Sequence, residues 1–231
     1  AGSVVTLTAG SGAISVGPTN GDATTTLHYV NTGAAITTGA ITIGTLDFVT
    51  SSSISIANNI TVLTSDLTFP VPVTLTGSSV VTTNIGSIFV MGAINWASAF
   101  HLTLNSAHAI EITANITSTG IGGSAGNISM TASGIGAGTF AGISVTNVAV
   151  TTADGNLTLN GTGGNTGMNN YGVFLTGALG QIGTTGGMLS VTGVGGNGTS
   201  GNHGIFVSTN ASIFSSASSS ISLTGTGGNS D

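Results

Sequence analysis

The sequence contains no lysine, no arginine and no cysteine, and none of its three prolines lies beyond Pro72. Each absence excludes something. Without basic side chains there is no electrostatic footprint for phosphate or nucleic acid, and none for an anionic lipid surface. Six acidic residues leave a formal net charge of −6, and histidine is the only side chain able to carry positive charge. Stability must therefore come from burial, backbone hydrogen bonds and stacked side chains. Without cysteine no disulfide staples the chain, and the redox compartment is not indicated. No apolar run approaches the ~18 residues of a membrane helix, so no membrane insertion is expected. An outer-membrane barrel is disfavoured by only 11 aromatic residues and no basic residue to line a lumen. There is no basic n-region, so a signal peptide is absent or already removed.

Thr, Ser, Val, Ile, Gly and Asn dominate. That is the vocabulary of strands and turns, and no amphipathic helical segment of ten residues stands out. The organising stretch is 156–231. Leu157-Thr158-Leu159-Asn160-Gly161-Thr162-Gly163-Gly164-Asn165 returns at an offset of 32, beginning at Leu189, and at the same offset again, beginning at Ile221. Tyr171-Gly172-Val173-Phe174-Leu175 precedes His203-Gly204-Ile205-Phe206-Val207 by the same offset, and Ile182 aligns with Phe214. A fixed period with an apolar-x-apolar strand in each copy marks stacking repeats.

Alternation puts Leu157 and Leu159, Leu189 and Val191, Ile221 and Leu223 on one face of their strands. The prediction is an all-β, parallel β-solenoid with an apolar ladder inside and a Ser/Thr face outside. Upstream, Leu102, Ile128 and Leu157 align at offsets of 26 and 29, and Ile110, Ile143 and Val173 at 33 and 30. Coils of roughly 26–33 residues follow, a length within the usual range of solenoid repeats. Residues 1–50 read as irregular N-terminal strands or a cap, and 51–231 as solenoid repeats. Pro70 and Pro72 cannot donate to a ladder and predict a corner or an edge. Gly163, Gly164, Asn165, Gly195, Gly196, Asn197, Gly227, Gly228 and Asn229 are assigned to one stacked corner, on the expectation that it needs positive φ. The chain stops just inside a fresh repeat, so it is expected to be a segment of something longer. Ile221 and Leu223, on a strand with no Lys or Pro to blunt it, form the candidate assembly edge.

Ile94-Asn95-Trp96, Leu102-Thr103-Leu104-Asn105, Ala109 to Ile116 and Gly126-Asn127-Ile128-Ser129-Met130 together resemble the β-helical repeats of filamentous-haemagglutinin-type adhesins, large bacterial exoproteins. The resemblance covers about residues 50–231. It implies a right-handed parallel β-helix, export and a surface role. The family's N-terminal secretion domain is not found, and an Arg-Gly-Asp motif is impossible without Arg.

The polar chemistry is sparse. Asp22, Asp47, Asp66, Glu111, Asp154 and Asp231 are scattered, and they read as solvated turn residues rather than a catalytic pair; no catalytic residue is assigned. His28, His101, His108 and His203 show no zinc spacing, and no metal ligand or cofactor is assigned. A calcium site built from Asn and backbone carbonyls would be a weak one. Phe174 and Phe206 lie between inward residues and predict an exposed aromatic ladder or contact surface. An ice-binding face would need regular Thr rows, and the Thr positions are expected to drift with coil length. The reading is a non-enzymatic, structural, extracellular segment of a surface filament, fibre or adhesin, partnered by itself. The alternative is an adhesion module binding host or surface glycans on a solenoid face.

Overall fold

Short β-branched runs separated by Gly, Asn and Ser leave the chain little choice but strands and corners. A computed structural model describes residues 3–10, 12–31, 33, 35–50, 52–216 and 219–229. Within them are 27 strands and one 3₁₀ turn, Gly122–Ser124. All strand pairs are parallel, and a strand's neighbours in its sheet are the third strand before it and the third after it. The molecule is a parallel β-solenoid of nine coils, three strands to a coil.

Each coil contributes one strand to each of three faces. The first face runs from Ile14–Val16 to Ser212–Ser215 and the second from Thr19–Asn20 to Ile221–Thr226, nine strands each. The third consists of a three-stranded sheet, Val4–Ala9 to Thr45–Thr50, then a six-stranded sheet, Leu67–Phe69 to Ile205–Val207. Stacked rings of Tyr29, Phe48 and Phe69 cross that junction inside the core, with centroids 5.6 and 6.0 Å apart. Pro70 and Pro72 occupy the corner between Leu67–Phe69 and Val73–Leu75, where a missing N–H costs no ladder bond.

The strands before residue 51 belong to the same sheets: Ile36–Thr38 and Ile41–Ile43 pair in register with Ile54–Ile56 and Ile60–Val62. Coil length differs from the expected 26–33. Ile36 to Ile54 is a step of 18 and Ile54 to Val73 one of 19, whereas Ile116 to Val150 is 34. The coils start short and lengthen toward the C-terminus. The early ones carry no long loop to betray a period, so only the late ones repeat legibly.

The offsets of 26, 29, 33 and 30 are the observed registers. Leu102, Leu104, Ile110, Ile112, Ile128, Met130, Ile143, Val145, Leu157, Leu159, Val173, Leu175, Leu189 and Val191 are all buried. In the last coil Ile205 is half-buried, and Val207, Ile221 and Leu223 are exposed, contrary to the expectation of burial. They keep the inward register, but no described strand lies above them. A second correction concerns Ile182, which pairs with Ile213, not Phe214. A slip of one position reverses the face, so Phe214 points outward over Gly183.

Tyr29 is fully buried with no hydrogen-bond partner for its hydroxyl, and burial pushes its phenol up to about 12. The folded chain therefore holds this proton to higher pH than the unfolded chain, whose value is 10.0. Below pH 10 the contribution is complete. As pH rises from 10 to about 12 only the unfolded state ionises, and stability falls. Tyr29→Phe should abolish that loss. At neutral pH it should be neutral or stabilising by up to about 1 kcal/mol, because an unpaired buried hydroxyl is removed. Urea unfolding at pH 7, 10 and 11.5 tests both; an unchanged alkaline slope contradicts the assignment.

Candidate functional site

The predicted glycine corner lies where the second face turns into the third. Three loops of equal length, 133–142, 163–172 and 195–204, leave the sheet there, and 227–229 begin a fourth. Their backbones bond from coil to coil: Gly164 N–H to Phe140 C=O, Gly196 N–H to Asn170 C=O, Gly228 N–H to Asn202 C=O, at 2.8–3.0 Å. Gly163 and Gly195 join the same ladder through the carbonyls of Val194 and Thr226. Asn165 donates its N–H to Gly138, and Asn197 and Asn229 lend their carbonyls to the Asn170 and Asn202 amides.

Positive φ is not why these glycines are there. Gly164, Gly196 and Gly228 lie outside the left-handed region, which in these loops is occupied by Gly134, Gly136, Gly138, Gly167, Asn169, Gly198 and Gly201. The requirement is close approach. A Cβ on Gly196 would overlap the Gly164 carbonyl oxygen, and one on Gly228 would overlap that of Gly196. Asn170 and Asn202, both buried, fill the loops from inside. Each amide donates to its own loop and to the loop of the following coil, and the Asn202 carbonyl oxygen accepts from Asn170. Sequence reasoning passed over this pair, although the two asparagines share the offset of the surrounding repeat.

The third face carries the only extended aromatic surface among the described residues. Its outward row reads Thr68, Phe89, Glu111, Ser144, Phe174, Phe206 in successive coils. Phe174 and Phe206, both half-buried, stack at 5.9 Å and 12°. Tyr171 joins them at 5.0 and 4.8 Å, and His203 lies over Tyr171 at 5.8 Å and 6°. Beside this stack runs a groove of about 440 Å³ lined by Glu111, Thr139, Phe140, Ser144, Tyr171 and Phe174, among others. Phe140 is held there by the His108 ring, 3.9 Å away, which in turn bonds Ser87 Oγ at 2.9 Å.

The acidic residues are more than solvated turn residues. Hydrogen bonds from Thr24, then Thr25, hold the Asp22 carboxyl below its usual range. Asp47 pairs with His28 at 3.0 Å. Asp66 and Asp154 accept the N–H of Ser87 and of Gly122, each one coil away. Glu111 alone among the described carboxylates has no partner. Asp231 lies outside the described residues. His101 also acts as a corner acceptor, for Asn127 N–H. No group of three His, Cys, Asp or Glu able to hold a metal occurs among the described residues.

The threonine rows do not drift. Thr42, Thr61, Thr82, Asn105, Thr131, Asn160, Thr192 and Thr224 are register neighbours on the second face, because length variation is absorbed in the loops. The asparagines keep the row from being a uniform hydroxyl array. No helix among the described residues is long and apolar enough to cross a membrane.

Close approach constrains Gly196 but not Gly227. Gly196→Ala should destabilise the chain by about 1–3 kcal/mol, the usual cost of overpacking. Gly227→Ala should cost well under that, since its nearest neighbour would be 3.6 Å away. Thermal unfolding of the two variants is the measurement; equal costs would contradict the account.

Comparison with protein-family models, with curated proteins and with solved structures found no match to this chain.

Proposed function

We propose that this chain is a structural, extracellular β-solenoid segment of a bacterial surface filament, fibre or adhesin, akin to the filamentous-haemagglutinin-type exoproteins that its motif order resembles. The observation that carries the reading is the in-register stack of parallel coils, whose apolar inward ladder runs unbroken through the described residues. Ile221 and Leu223 stand in register over Leu189 and Val191, yet are 44% and 51% exposed. Here the strand is free of Lys, Pro and charge, the usual edge blockers. In the proposed assembly the parallel ladder continues across this strand into a further coil, which extends a rod.

Secretion is supported by composition. A chain without Lys or Arg offers trypsin-like proteases no site, an advantage outside the cell. The scaffold also sets side chains on flat outer faces at a fixed repeat, which suits a surface fibre.

The purified chain should associate as concentration rises, and electron microscopy should show rods longer than nine coils. Ile221→Asp with Leu223→Asp should abolish this by putting charge on the docking row. Sedimentation velocity across a hundredfold concentration range checks it. A monomer at every concentration contradicts docking of subunits, and recovery of the native protein from a cytoplasmic fraction contradicts the extracellular assignment.

A further inference from the structure

Glu111 is the one described carboxylate without a hydrogen bond or ion pair, and it lies exposed in the aromatic groove of the third face. Two register steps away is Phe174, with Ser144 between them. The Tyr171, Phe174 and Phe206 rings lie within 12–29° of one another. They stack against one another and border the groove, and the face of an aromatic ring carries negative charge density. A free carboxylate and a negative ring surface share this groove, in a chain of net charge −6 with no Lys or Arg to neutralise either.

We propose that this groove binds a peptide segment carrying two cationic side chains, one laid over the Tyr171 and Phe174 rings and the other paired with Glu111. This does not rest on the structural role proposed above. A cation over an exposed ring within about 6 Å of its centroid is attracted by the ring face, and an exposed ion pair adds a comparably small gain. Each is weak alone, so the two must act together. Glu111 and Phe174 are about 10 Å apart, two inter-strand spacings. Two long basic side chains engage one group each when they leave alternate residues of an extended peptide whose Cα atoms are about 7 Å apart. An anionic ligand would meet only repulsion. A neutral saccharide would use the rings but leave the Glu111 charge without a counter-charge. The net negative field favours encounter with a basic segment and rejects acidic ones.

The test uses the whole chain and a fluorescein-labelled Arg-Gly-Arg amide, followed by fluorescence anisotropy at low salt and at high salt. Saturable binding that weakens with salt is expected, and a peptide with both arginines replaced by citrulline should bind less. Glu111→Gln and Phe174→Leu should each weaken binding about two- to fivefold. Thr103→Ala, on another face, should leave it unchanged. Both groove residues point outward, and circular dichroism verifies that the variants fold. No saturation, equal binding of the citrulline peptide, or indifference to Glu111→Gln overturns the proposal. So does salt-independent binding of a neutral oligosaccharide such as chitotriose that displaces the peptide.

Discussion

Parallel stacking of one coil on the next is the constraint on which everything else depends. Strands bond to their counterparts in the coil before and the coil after, so a residue's environment is set by what lies above and below it. Inward positions are apolar along most columns, because each floors the next; Leu104, Met130, Leu159 and Val191 form one such column, while buried Thr83 and Ser106 stack beside the corner with their hydroxyls bonded to Gly86 C=O. Where backbones of successive coils touch directly, no Cβ fits, as at Gly164, Gly196 and Gly228. The same rule explains the polar corners. Asn127 Oδ1 accepts the N–H of Asn156, whose own Oδ1 accepts that of Met188. Side chains there substitute for ladder bonds that the turning backbone no longer makes.

The constraint binds strands and releases loops. The step from Ile116 to Val150 is nearly twice that from Ile36 to Ile54, while strand registers stay intact, because added length leaves the sheet at a corner. Where loops recur at one corner they rebuild the stacking rule among themselves, and the buried Asn170 and Asn202 amides tie loop to loop. The long loops also shape the outer surface. Loop 133–142 brings Phe140 beside the third face and makes a groove of what would be a flat sheet.

The inward ladder and its registers were legible in the sequence because alternation and a constant late period survive any loop chemistry. Other features were not. The early coils are short and lack a recurring loop, so Ile36, Ile54 and Val73 offered no period to recognise. The Ile182 alignment slipped by one because Gly183 and Phe214 exchange bulk across coils, hiding the true partner Ile213. The recurring glycines lie where successive loops approach closely and not at positive φ; a sequence shows that glycine recurs and not whether φ or proximity demands it. The groove combines Glu111, Phe140 and Tyr171 from three coils. Only the fold juxtaposes them, and no repeat offset connects them.

The absence of cysteine gives the central claim a direct test with no background. Thr158 and Ser190 are outward register partners in adjacent coils, about 4.8 Å apart and within the range a disulfide spans. Under mild oxidation Thr158→Cys with Ser190→Cys should close a disulfide almost completely. Thr158→Cys with Thr192→Cys, displaced by two positions, should close one poorly. The in-register solenoid predicts that contrast, seen as a mobility shift in denaturing gels and confirmed by mass spectrometry. Equal closure of both pairs, or preference for the displaced pair, would contradict it.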